Sequence, residues 1–140
     1  MKRRLKGLRA SQQGEGMLVG LYSVLVITVI LFMGIEAAGY SVTIWKLRQV
    51  CSETLNLMKI ENGLNHEIEA SFQALSEDYG LQAYTFKLTG TPCFVQRGDL
   101  LELEAVSSYP LQCVRPFGNQ FEVPLYIKVR GLAQTFMRDG

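Results

Sequence analysis

The sequence predicts an α+β protein: a long N-terminal helix whose first half spans a membrane, a second short helix, and a small antiparallel β-sheet head. Three observations carry that prediction. Residues 16–35 (GMLVGLYSVLVITVILFMGI) hold no charge, with Glu15 just before them and Glu36 just after. Apolar residues then recur every three or four positions through Met58, and after Gly80 the period changes to two.

The uncharged stretch comes first. Twenty helical residues reach about 30 Å, the thickness of a bilayer's hydrocarbon core. Five basic residues (Lys2, Arg3, Arg4, Lys6 and Arg9) and no acid lie in the first ten positions, although the whole chain holds 14 basic and 13 acidic residues. Basic residues before a span hold the N-terminus in the cytoplasm, so the C-terminal part is expected to be extracytoplasmic, on a single-pass cell-membrane protein. The same block could bind anionic lipid or nucleic acid, but beside a span its role is topology. No later stretch is basic enough for a nucleic-acid surface, and no nucleic-acid partner is expected.

From Tyr40 to Met58 helical spacing persists. Ile44, Leu47, Val50 or Cys51, Leu55 and Met58 form an apolar stripe, with Lys46, Arg48, Gln49 and Glu53 between them. No proline or paired glycine interrupts residues 18–60, which predicts one helix of some forty residues there. Trp45, Lys46 and Arg48 suit the outer membrane interface. The stripe itself is a seam against the following domain, or between subunits.

Asn62-Gly63 breaks the helix. A second helix is expected from about Asn65 to Tyr79, with Ile68, Phe72, Leu75 and Tyr79 on one face and Gly80 just past its end. Residues 83–88, 100–106 and 121–130 then alternate as strands, separated by the turn clusters Thr89-Gly90-Thr91-Pro92, Arg97-Gly98-Asp99 and Pro116-Phe117-Gly118-Asn119. The resulting organisation is a basic leader (1–10), a transmembrane and extended amphipathic helix (11–61) and a small extracytoplasmic α+β head (62–140).

Catalytic patterns are missing. His66 has no nucleophile or metal-ligand partner at a meaningful spacing, and Glu102 with Glu104 read as a solvated pair on one strand face. Neither an enzyme nor a cofactor or metal site is expected. Arg97-Gly98-Asp99 is ordinary turn chemistry rather than an adhesion motif. Cys51, Cys93 and Cys113 match no zinc spacing; in an oxidising compartment Cys93 and Cys113 could close one disulfide across the sheet, the alternative being three buried thiols.

Three readings of the apolar segment stay open at this point. A cleaved signal peptide would use a site such as Ala37-Ala38-Gly39, but its apolar core is normally shorter. A plain signal anchor needs nothing more. The third reading is that of the class III signal sequences of type IV pilins, which the short basic leader, polar link (residues 10–14), glutamate and apolar helix resemble. The run from Gly14 through Tyr40 is similar to TadE-like pseudopilins, minor pilins of the Tad (Flp, type IVc) pilus system. Phe32, Gly34, Glu36 and Gly39 follow those proteins' F-G-x-x-E-x-G-like stretch loosely.

That resemblance implies a chain cut by a prepilin peptidase between Ala10 and Ser11, making Glu15 the fifth mature residue. It further implies docking on a pilus assembly platform and packing against other pilin subunits, with Met17, Leu21, Leu25, Val29 and Phe32 in the filament core. Glu15 would guide assembly by pairing with a neighbour's new α-amino group, as a carboxylate at a helix N-terminus and hydrocarbon edge gains from a cation. A cut after Gly14 would place glycine before the scissile bond but leave Glu15 first. Gly14-Glu15-Gly16 also resembles the start of small membrane proteins encoded near conjugation genes. An unprocessed single-span subunit of a conjugation or secretion channel, or a membrane-tethered binding module, is therefore the alternative.

Overall fold

The computed structural model describes residues 14–93 and 95–134 in full and residues 2–13 as helix backbone. It has the expected α+β class: helix α1 (Lys2–Glu61), helix α2 (His66–Asp78) and a three-stranded antiparallel sheet of β1 (Lys87–Gly90), β2 (Leu100–Pro110) and β3 (Glu122–Leu132) in the order β1-β2-β3. The chain divides into two compact units, residues 1–37 and residues 38–140.

The second unit is built on the amphipathic stripe. Leu47, Val50, Cys51 and Met58 are fully buried, and Leu55 nearly so. They meet the inward residues of the sheet, Leu101, Leu103 and Ala105 of β2 with Leu125 and Ile127 of β3. Alternation on β2 sends Glu102 and Glu104 to the other face. Each fully buried leucine contributes about 1.5–3 kcal/mol relative to exposure. Thr54 is buried on the same stripe because its hydroxyl donates to the Val50 carbonyl, 2.8 Å away, and so carries no unpaired polar group inward.

α1 stops where the backbone turns left-handed. Asn62 has φ 55° and Gly63 φ 144°, and a Cβ on Gly63 would fall 2.5 Å from the Cys93 Cα. Only glycine satisfies both the angle and that approach. Leu64 N–H then donates to the Thr91 carbonyl at 2.8 Å, joining the connection to the residues after β1. Asn65 caps α2, its side-chain oxygen accepting from Ile68 N–H at 2.8 Å, and Glu67 and Glu69 sit in the first turn where the helix dipole favours acids. Ile68 and Phe72 face the core as the spacing predicts, and Gly80 with φ 75° follows the helix end. The Tyr79 hydroxyl donates to Glu53 Oε1 at 2.7 Å, tying the end of α2 to α1. That carboxylate, more than desolvation, holds the Tyr79 phenol above its usual range.

One strand moved. Alternation suggested 83–88, whereas β1 pairs only over Lys87–Gly90, Lys87 opposite Val106 and Gly90 opposite Leu103. Tyr84 and Phe86 still face inward: Tyr84 stacks on Tyr109 at 6.2 Å and Phe86 meets Phe72 edge-on at 5.7 Å. A hydrogen bond from the Ser107 hydroxyl to the Thr85 carbonyl (2.8 Å) bridges the neighbouring strand there. Aromatic packing preserved the period of two where strand pairing did not extend. β2 and β3 pair over eleven residues, from Leu100 opposite Leu132 to Pro110 opposite Glu122, four residues beyond the expected end of β2.

This pairing gives the unit two distinguishable ends. At one, Gly39 lies against Tyr109, Tyr40 and Tyr109 meet edge-on at 5.6 Å, and the Tyr40 hydroxyl donates to the Pro124 carbonyl at 3.3 Å. At the other, Gln134 N–H donates to the Lys59 carbonyl at 3.2 Å. The second half of α1 therefore runs in the same direction as β3, and the connection between β2 and β3 lies at the Gly39–Tyr40 end. That connection holds a 3-10 turn, Arg115–Phe117, closed by Gly118 at φ 77°.

Candidate functional site

The first unit holds the candidate site, the apolar part of α1. Met17, Leu21, Leu25, Val29 and Phe32 lie three or four residues apart and are 79, 69, 59, 50 and 58 % exposed. Val19, Ile27, Ile30 and Leu31, pointing elsewhere around the helix, are also more than half exposed. A helix apolar on every side has no single face for a core and suits a surrounding apolar phase. α1 is long and apolar enough to cross a membrane, and none of its most apolar window is buried within the molecule.

Its few polar groups are consistent with such a phase. The Ser23 hydroxyl donates to the Val19 carbonyl at 2.9 Å and the Thr28 hydroxyl to the Val24 carbonyl at 2.8 Å. Each is satisfied within its own helix turn, as a bilayer interior requires. Gly16, Gly20 and Gly34 have open space where a Cβ would stand. Gly16 and Gly20 are four residues apart, on one face, and that spacing lets a second helix approach closely. Glu15 is exposed at the start of this stretch. Residues 2–13, with the Ala10–Ser11 bond, are described only as helix backbone, so α1 begins before Glu15 rather than at it as expected.

In the second unit the glutamate pair proved to be more than solvated. Lys128 Nζ reaches Glu102 at 2.9 Å and Glu104 at 2.6 Å, and Arg130 Nε reaches Glu102 at 2.7 Å. The register explains it, since Glu102 stands opposite Arg130 and Glu104 opposite Lys128. Hydrogen bonding to Lys128 holds both carboxyls below their usual range, and the same bonds hold Lys128 above its own. The missing signal was the pairing partner, which strand β2 alone cannot supply.

The cysteines are present as thiols. Cys51 is fully buried outside the apolar stretch, and that burial pushes its thiol up to about 12. Cys93 is half-buried, its Sγ 3.3 Å from the Leu64 carbonyl, and Cys113 is half-buried in the β2–β3 connection. His66 is exposed, its Nδ1 3.7 Å from Glu69. Among the described residues no three His, Cys, Asp or Glu side chains gather as a metal-holding group. In the Arg97-Gly98-Asp99 turn, the Asp99 carboxylate accepts from Gln96 N–H at 3.2 Å and Gly98 has φ 92°, both local turn contacts.

A family model described as a domain of unknown function (DUF4320) matches residues 24–138, most of the chain. The chain belongs to that family. The DUF4320 match takes in the second half of the apolar stretch and the described α+β unit, with Leu25, Val29 and Phe32 inside it and Glu15 before it. No curated protein and no solved structure matches the chain.

Proposed function

We propose that this DUF4320 chain is a minor pilin or pseudopilin, similar to the TadE-like subunits of Tad pili. It would insert in the membrane and be assembled into a type IV-like pilus or secretion filament after leader cleavage. The observation that supports this most is the helix of residues 16–35, exposed and apolar on every side, with Glu15 and the Gly16–Gly20 gap at its start. Lipid holds such a helix as a monomer, and like helices can replace lipid in a filament. Apolarity drives little of that exchange, because lipid tails are as apolar as leucine. Close packing at the glycines and the Glu15 contact then set the register between subunits.

In this reading a prepilin peptidase removes residues 1–10, and the assembly platform draws Met17, Leu21, Leu25, Val29 and Phe32 from lipid into the filament core. The α+β unit stays outside the cell and has no catalytic role. Glu15 docks on the α-amino group that cleavage creates on a neighbouring subunit.

Mass spectrometry of the mature protein tests the processing step: loss of ten residues is expected. Glu15→Gln should leave membrane insertion unchanged and strongly reduce incorporation into filaments. Undiminished incorporation would remove the docking role. A second reading rests on Ala10, which stands where pilin leaders nearly always carry glycine. An intact N-terminus in the same mass measurement would favour an unprocessed single-span subunit of a conjugation or secretion channel.

A further inference from the structure

The connection between β2 and β3, residues 111–121 (LQCVRPFGNQF), contains one cation, Arg115, and no acid. It also carries two of the most exposed aromatic side chains of the α+β unit. Phe117 is 81 % exposed and Phe121 54 %. Pro116 and the left-handed Gly118 hold Phe117 at the tip of a 3-10 turn, so its exposure is built into the backbone. Arg115, Gln112, Asn119 and Gln120 line a cavity of about 180 Å³ beside Phe121, with Glu122, the first residue of β3, at its edge. Aromatic tips flanked by a cation and amide donors are unfavourable in water and suit the boundary between lipid headgroups and hydrocarbon.

The position of this loop supplies the occupant. It closes the end of the α+β unit at which Gly39 and Tyr40 pack against Tyr109 and Pro124. Four residues separate Tyr40 from Ile35, the last residue of the apolar stretch. Even fully extended, five steps of about 3.6 Å hold Tyr40 within about 18 Å of the hydrocarbon edge. The headgroup region itself accounts for several ångströms of that distance on each side of the bilayer.

We infer that the β2–β3 loop is a second membrane contact: Phe117 and Phe121 enter the interfacial layer of the bilayer that holds the apolar helix, with Arg115 at the level of anionic lipid phosphates. The inference rests on the membrane reading of residues 16–35, but not on cleavage or filament assembly. Two attachments, a span and a loop, restrict the tilt of the α+β unit against the bilayer. Anionic lipid strengthens the loop contact through Arg115.

The test uses the full chain in vesicles of phosphatidylcholine and phosphatidylglycerol, with brominated acyl chains as quencher. Trp45 is first replaced by Phe to remove the native indole. Single indoles are then placed by Leu25→Trp in the apolar stretch, Phe117→Trp at the loop tip, and Gln96→Trp near the opposite end of the sheet. The expected result is loss of most emission for Leu25→Trp and Phe117→Trp, with Gln96→Trp unquenched. Quenching of Leu25→Trp alone would overturn the loop contact and leave the membrane span standing. No quenching at any position would overturn the membrane reading and the loop contact with it. Equal quenching at Phe117→Trp and Gln96→Trp would mean unspecific adsorption and would also overturn the inference. All three substituted side chains are exposed, so each variant is expected to keep the native circular dichroism.

Discussion

Residues 16–35 and residues 40–58 belong to one helix and use leucine in opposite ways. In the first stretch Leu18, Leu21, Leu25 and Leu31 are all more than half exposed; in the second, Leu47 and Leu55 are buried, with Arg48, Ser52 and Asn56 turned to solvent. The helical backbone is shared, so the difference lies in what surrounds each part. A stripe on one face needs one protein partner, here the sheet, and leaves the rest to water. Apolar residues on every face need a partner on every side, and none of the most apolar window is buried within the described molecule. The comparison teaches that one secondary-structure element can be written for two solvents, with the change made by where polar and charged residues are placed.

The largest test of that contrast is a pair of equal truncations. Leu103→Ala, which empties a fully buried position against the stripe, should cost the α+β unit about 2–5 kcal/mol in thermal or denaturant unfolding. Leu25→Ala should leave that transition unchanged. Equal losses would mean that the apolar stretch also packs on the sheet, and the contrast would collapse. Cys51 offers a chemical version. With its thiol fully buried and pushed up to about 12, it should resist iodoacetamide at pH 8 until the unit unfolds. Half-buried Cys93 and Cys113 should react in the reduced protein; protection of both that is lifted by reductant would reveal a bond between them.

Smaller effects sharpen the second region alone. Asn65→Ala removes the cap of α2 and should cost about 1 kcal/mol, with no effect on membrane insertion. The smallest concerns the Glu102–Lys128–Glu104 ladder. Both carboxyls are held below their usual range, so their contribution is complete above the unfolded glutamate value and is lost as pH falls through the depressed folded values. Lys128 is held above its usual range, so its contribution is present below the ordinary lysine value and disappears as pH rises through the raised one. Lys128→Met should flatten the acid limb of a stability–pH profile, and an unchanged limb would show the ladder to be energetically silent.

Much of this was readable from local pattern. The uncharged stretch, the stripe of Leu47, Val50, Leu55 and Met58, the break at Asn62-Gly63 and the end of α2 at Gly80 each depend on residues within a turn or two of one another. The first strand was misplaced because the inward alternation of Tyr84 and Phe86 serves aromatic packing on Phe72 and Tyr109, which are distant in sequence. The β2–β3 pairing outran its expectation because Ser107 to Pro110 gain their partners from residues 122–125. Among the candidate site residues, Met17 to Phe32 were legible from hydropathy, whereas the location of Phe117 relative to Tyr40 was not.

The sequence by itself determined that one helix carries a bilayer-length apolar stretch followed by a one-sided stripe, because charge and spacing act locally along a helix. Only the tertiary structure decided which residues oppose Glu102 and Glu104, how deeply Cys51 is buried, and that an aromatic loop closes the same end of the unit at which Gly39 and Tyr40 pack. Those are outcomes of strand register and of packing α1 along β3. Register joins residues 12 to 32 positions apart, and no local pattern of charge or hydropathy specifies such a pair.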